Sequence, residues 1–153
     1  MQKLNLLAAL PEIVLLITAS IVLLAERGLL SLRDRAAKHL PALARARDPR
    51  LGVVTLEQLL LHSSGLPPAM PVARFGRGLE RAVEAIASLE LEAAPGERQR
   101  YSDIGYVLLG AVVGAVARAP LDRLAAREIF EPLGMADTTF APGPDRRPRA
   151  KVV

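Results

Sequence analysis

Two short polar constellations carry whatever chemistry this sequence supports. One is His62-Ser63-Ser64-Gly65, which closes an apolar helical stretch, and the other is Tyr101-Ser102-Asp103, which immediately precedes one. Helix N-termini present unpaired backbone N–H groups and favour negative charge, so a Tyr-Ser-Asp turn feeding a buried helix suits acid–base chemistry. The structural alternative is as well defined. Ser and Asp are preferred N-cap residues, so Ser102 or Asp103 can serve only to cap the next helix. His62 has the same two readings, a cap or packed ring at a helix end or an acid–base group.

A nucleophile is harder to find. The serines stand at positions 20, 31, 63, 64, 88 and 102, and none has a lysine three residues later. From the other side, none of Lys3, Lys38 and Lys151 has a serine three residues before it. There is no Gly-x-Ser-x-Gly elbow and no phosphate loop. With no cysteine, thiolate nucleophiles, disulfides and cysteine-ligated zinc are excluded. Two histidines, His39 and His62, are too few and too far apart for a metal set, so neither metal nor cofactor is implied.

The elements that must position these residues follow from periodicity and punctuation. A chain of 153 residues, 51% hydrophobic and 24% charged, suits one modest domain and is not the composition of a disordered segment. Thr55 with Gln58 makes a capping box in front of Leu59 to Leu61, and Gly65 and Pro67 stop that helix. Leu79, Val83, Ile86, Ala87 and Leu91 recur at helical spacing and predict an amphipathic surface helix over 79–91. Pro95-Gly96 predicts a turn, Gly105 to Arg118 a buried helix, and Pro120 the start of another that Pro132 ends.

Two regions look outward. Leu4 to Ala25 is the most apolar stretch and a candidate membrane helix, although its clean run from Ile13 is of the length more often found in a buried core helix. The formal charge of +4 gathers at Arg146, Arg147, Arg149 and Lys151, which reads as a solvated, irregular basic tail. Without aromatic support in that tail, nucleic acid is not expected as a partner.

Taken in order and spacing, "ERGLLSLRDRAAKHLPAL" (Glu26 to Leu43), "VTLEQLLLHSSGLP" (Val54 to Pro67), "PGERQRYSDIGYVLLG" (Pro95 to Gly110) and "EIFEPLGMADTTF" (Glu128 to Phe140) resemble successive signatures of the β-lactamase-like serine hydrolases, the penicillin-binding-protein and class C β-lactamase type. The resemblance covers residues 26–142. It implies a mainly α chain that is a slice of an α/β (α+β) β-lactamase/transpeptidase-like fold, the helical region with most of the antiparallel sheet missing. It also implies a small-molecule ester, amide or β-lactam substrate, and it favours the bacterial cell envelope or a membrane-associated location over the cytoplasm. Oligomeric state is not implied.

In that family a serine of a Ser-x-x-Lys motif attacks the carbonyl, and a tyrosine of a Tyr-x-Asn turn helps move the proton. The resemblance therefore makes Tyr101 the general-base candidate, puts Asp103 where Asn is commonest, and leaves Ser102 and His62 adjacent to the site. A phenol with a reference pKa near 10 becomes a useful base only where nearby cations favour its phenolate, and the lysine would be that cation. The family's spacing puts Ser-x-x-Lys at Leu10-Pro11-Glu12-Ile13, and neither Lys-Thr-Gly nor His-x-Gly occurs later.

A second, shorter resemblance links "LLAALPEIVLLITASIVLLA" (Leu6 to Ala25) to the first membrane helix of the antiporter-like subunit N of bacterial NADH:quinone oxidoreductase. Together these give an expected layout of an apolar segment over 1–25, a partial β-lactamase-related domain over 26–142 and a tail over 143–153. The functional expectation is a serine hydrolase by family, truncated, inactive as it stands and marginally stable. The alternative is a small membrane-anchored structural or interaction protein.

Overall fold

The computed structural model describes residues 10–75, 78–136 and 138–140. Its helices are α1 (Leu10–Glu26), α2 (Ala36–His39), α3 (Leu56–Leu60), α4 (Leu79–Ala87), α5 (Asp103–Ala117) and α6 (Leu121–Ala125). Short 3-10 turns at Pro41–Arg45, Pro49–Val53 and Val72–Phe75 join them. Among the described residues there is no sheet, only an isolated antiparallel bridge between Arg35 and Thr55.

α5 organises the core because its sequence is apolar on nearly every side, as a helix surrounded by others must be. Ile104, Leu108, Leu109, Val112 and Val113 are fully buried, and α1, α3 and α4 all pack against them. From α1 come Ile17, Ile21 and Leu24. The two helices approach closely at Gly110, where an added Cβ would sit 3.5 Å from Ile17 Cδ1. α4 contributes the stripe Ala82, Val83, Ile86 and Ala87 and keeps its charged residues outside.

Several expected boundaries move for local reasons. α4 ends at Ala87, not Leu91, since Ser88 turns the chain and its hydroxyl donates to the Ala85 carbonyl at 2.6 Å. α5 starts at Asp103, two residues before the expected glycine, because Ser102 caps it. The helix opened by Pro120 changes to a π-helical turn over Ala126–Phe130 before Pro132 is reached. The capping box forms as expected, with Gln58 N–H donating to Thr55 Oγ1 at 3.2 Å and Thr55 N–H to Gln58 Oε1 at 3.0 Å.

The membrane helix expected over 4–25 finds no support among the described residues. Among the described residues no single helix is long and apolar enough to cross a membrane. The apolar run from Ile13 instead buries Ile17, Ile21 and Leu24 in the common core, although Leu15 and Val22 face outward. Residues 4–9 and the basic tail lie outside the described residues.

Candidate functional site

Two irregular segments, 62–68 after α3 and 91–103 running into the first residue of α5, lie beside each other and place the tyrosine turn. The N–H groups of the second segment donate to carbonyls of the first: Glu92 to Gly65 at 2.8 Å, Gly96 to Ser63 at 2.7 Å, Arg100 to His62 at 2.8 Å and Asp103 to Pro68 at 2.8 Å. Ser102 Oγ donates to the Pro67 carbonyl at 2.6 Å and accepts from Gly105 N–H at 3.3 Å. Ser102 is thus the helix cap and also a tie between the segments. Ser102→Ala should cost about 1–2 kcal/mol, more than a surface cap, because it also removes the donor from the part-buried Pro67 carbonyl; urea unfolding of the two proteins measures it.

Tight backbone geometry makes this possible at two positions. Gly65 takes φ +81°, and a Cβ there would meet the Ala93 carbonyl oxygen at 2.2 Å. His62 takes φ +55°, unusual for a residue with a side chain, and this turns its ring toward the tyrosine turn. The ring lies 4.5 Å from that of Tyr101 and 5.2 Å from that of Tyr106, centroid to centroid. Its Nδ1 accepts from the Ser102 N–H at 3.1 Å, which assigns the ring proton to Nε2. On the far side, Tyr106 OH is 3.1 Å from Thr18 Oγ1, which brings α1 to the cluster.

The sequence-predicted site residues Tyr101, Ser102, Asp103 and His62 therefore do come together. Tyr106 joins them and was passed over in the sequence because it sits in an apolar run. Leu10-Pro11-Glu12-Ile13 forms the beginning of α1, with Thr18 about a turn beyond Ile13.

Burial, then the neighbouring Asp103 carboxyl, raises the Tyr101 phenol above its ordinary value, although the side chain stays 54% exposed. Burial lowers the His62 imidazolium below its ordinary 6.5, with the Asp103 charge opposing. Oδ1 of Asp103 is itself buried without a hydrogen-bond partner. Tyr101 is thus a half-exposed phenol that holds its proton in the presence of these neighbours. A cation beside it would be needed to make it a base at neutral pH. The cluster is not enclosed; a cavity of about 420 Å³ lined by Arg47, Met70, Arg74 and Leu89 includes none of its residues.

The wider frame is anchored by Asp48, whose side chain is 7% exposed. It accepts from Leu91 N–H at 2.9 Å, from Arg50 N–H at 3.0 Å and from the Arg50 guanidinium at 2.7 Å. Arg50 in turn donates to the Leu91 carbonyl at 3.1 Å, so both backbone groups of Leu91 are clamped where the second segment begins.

The fold of helices packed on a central apolar helix is shared with known proteins. The Beta-lactamase family profile matches residues 15–152, and the chain belongs to that family. It is 31% identical over 144 residues to the D-alanyl-D-alanine-carboxypeptidase/endopeptidase AmpH of Escherichia coli K12, covering 90% of this chain and 37% of that one. Among solved structures, the β-lactamase/D-alanine carboxypeptidase of Yersinia pestis superposes with a TM-score of 0.71 at 26% identity, covering 88% of this chain and 40% of that one. The D-stereospecific amidohydrolase of a Streptomyces species gives 0.68 at 25% identity, covering 80% and 41%. The chain therefore spans about two fifths of the length of these relatives.

Proposed function

We propose that this chain is the tyrosine-bearing helical region of a serine hydrolase that transfers acyl groups from amides of D-amino acids or from β-lactams, and that these 153 residues alone do not turn such substrates over. In this reading Tyr101 is the proton-transfer group, with Asp103 beside it. The substrate class is supported by relatives named as D-alanyl-D-alanine carboxypeptidases and a D-stereospecific amidohydrolase.

The observation that carries the absence of turnover is the fate of the six serines. Ser20 donates to the Leu16 carbonyl at 2.7 Å and Ser88 to that of Ala85 at 2.6 Å, while Ser31 accepts from Arg33 N–H at 3.2 Å. Ser63 leans on the Gln58 carbonyl at 3.5 Å, Ser64 is buried and accepts from Leu66 N–H at 3.3 Å, and Ser102 is committed at both ends. None has a lysine in the next turn to take its proton, and an unactivated hydroxyl is a poor nucleophile.

Purified protein mixed with nitrocefin, a p-nitrophenyl ester or an acyl-D-alanyl-D-alanine peptide should show no burst and a rate equal to buffer. A stoichiometric burst, or a mass increase matching an acyl adduct, would overturn the inactive reading. The family role of the parent is tested separately by reading the flanking DNA in all frames. Absence of both Ser-x-x-Lys and a Lys-Thr-Gly or His-x-Gly strand there would sink it.

A further inference from the structure

We infer that His62 is a proton-operated latch on the tyrosine turn: the neutral ring holds residues 100–103 against the 62–68 segment, and the protonated ring releases them. The inference rests on the reading above only in giving Tyr101 a role; the latch itself follows from geometry.

Three ties leave this one residue. Its carbonyl accepts from Arg100 N–H at 2.8 Å, its Nδ1 accepts from Ser102 N–H at 3.1 Å, and its ring face packs on Tyr101 and Tyr106. The middle tie is the proton-sensitive one. An imidazolium donates from both nitrogens, so protonation would set an Nδ1–H against the Ser102 N–H, donor facing donor. Ser102 cannot simply rotate away, because its hydroxyl is held by Pro67 and the next N–H by Pro68. Either the ring leaves its stack or the 100–102 turn lifts, and both move Tyr101.

The titratable and charged groups facing the ring are the phenols of Tyr101 and Tyr106 and the carboxyl of Asp103; the Arg100 guanidinium is turned instead to Glu92. Asp103 favours the imidazolium and burial disfavours it, with burial the larger. The latch is therefore closed at neutral pH. Because the folded-state value lies below the unfolded one, the stability contributed by the neutral ring is complete above the ordinary 6.5 and is lost as pH falls through the folded value.

Amide and imidazole resonances of the full chain, followed by NMR from about pH 8 to 4.5, test this. The Ser102 amide should shift with the same midpoint as the His62 ring, below the ordinary histidine value. Its exchange protection should fall about tenfold across that midpoint, the loss expected for one hydrogen bond. His62→Asn keeps a δ-position acceptor, Oδ1 in place of Nδ1, and readily takes φ near +55°, so it should retain Ser102 protection and abolish the pH dependence. His62→Phe keeps a ring without an acceptor and should lower Ser102 protection at every pH.

A Ser102 amide that stays flat while His62 titrates would overturn the latch, as would an unchanged titration in His62→Asn. Should the Phe variant fail to fold, the wild-type titration and the Asn variant still decide. No outcome depends on turnover, so the latch and the proposed function fail separately.

Discussion

Gly65→Ala should lower stability by about 3–4 kcal/mol, a shift of roughly 6–16 °C in thermal midpoint for a domain of this size. Two effects add. The left-handed backbone at φ +81° disfavours any side chain, and the new Cβ would lie 2.2 Å from the Ala93 carbonyl oxygen, a backbone atom that cannot swing aside. Relief requires the two segments to separate, which breaks the Glu92 to Gly65 hydrogen bond and loosens the rungs beyond it. Gly28→Ala is the control. Gly28 also has a positive φ, +68°, but open space around its Cβ position, so only the backbone term remains, about 1 kcal/mol. Circular dichroism melts of both variants measure the difference, and equal losses would show that the Ala93 contact does not matter.

Asp48→Ala should cost about 3 kcal/mol, because it strands the Leu91 N–H and removes the acceptor from a half-exposed arginine. Asp48→Asn keeps one acceptor oxygen and should recover part of the loss. The Arg50 guanidinium, then the Leu91 and Arg50 N–H groups, hold the Asp48 carboxyl well below the usual carboxylate range. The stability contributed by this depressed acid is complete above the ordinary 3.8 and disappears as pH falls through the folded value. Wild type should therefore lose stability in strong acid more steeply than Asp48→Asn. By contrast, the exposed Arg47–Glu90 pair, at 68% and 67% exposure, should contribute under about 0.5 kcal/mol. Chemical denaturation at several pH values separates these cases.

The sequence disclosed the helical elements wherever a local rule decides them. The Thr55–Gln58 capping box, the α4 stripe and the apolar α5 all rest on neighbours within a few residues, and all form. Ser102 was legible as a cap for the same reason. Its second bond, to Pro67, spans 35 residues and leaves no local pattern. The Asp48 clamp on Leu91 spans 43 residues and was invisible for that reason. The apolar run of α1 could be read as a bilayer span or as a core helix, since leucine and isoleucine satisfy both solvents. Its packing on α5 is a tertiary fact that hydropathy cannot express. Tyr106 was hidden within α5 by its apolar neighbours, and only the Thr18 and His62 contacts set it apart.

The aromatic content of the chain gives the cluster one further property. The protein has no tryptophan and two tyrosines, Tyr101 and Tyr106, and both rings touch His62. Its near-ultraviolet absorption and intrinsic emission above the phenylalanine band thus originate only at the two rings that flank His62. Light absorbed there reports on one small region of the molecule with no background from elsewhere, so the candidate site carries its own optical label.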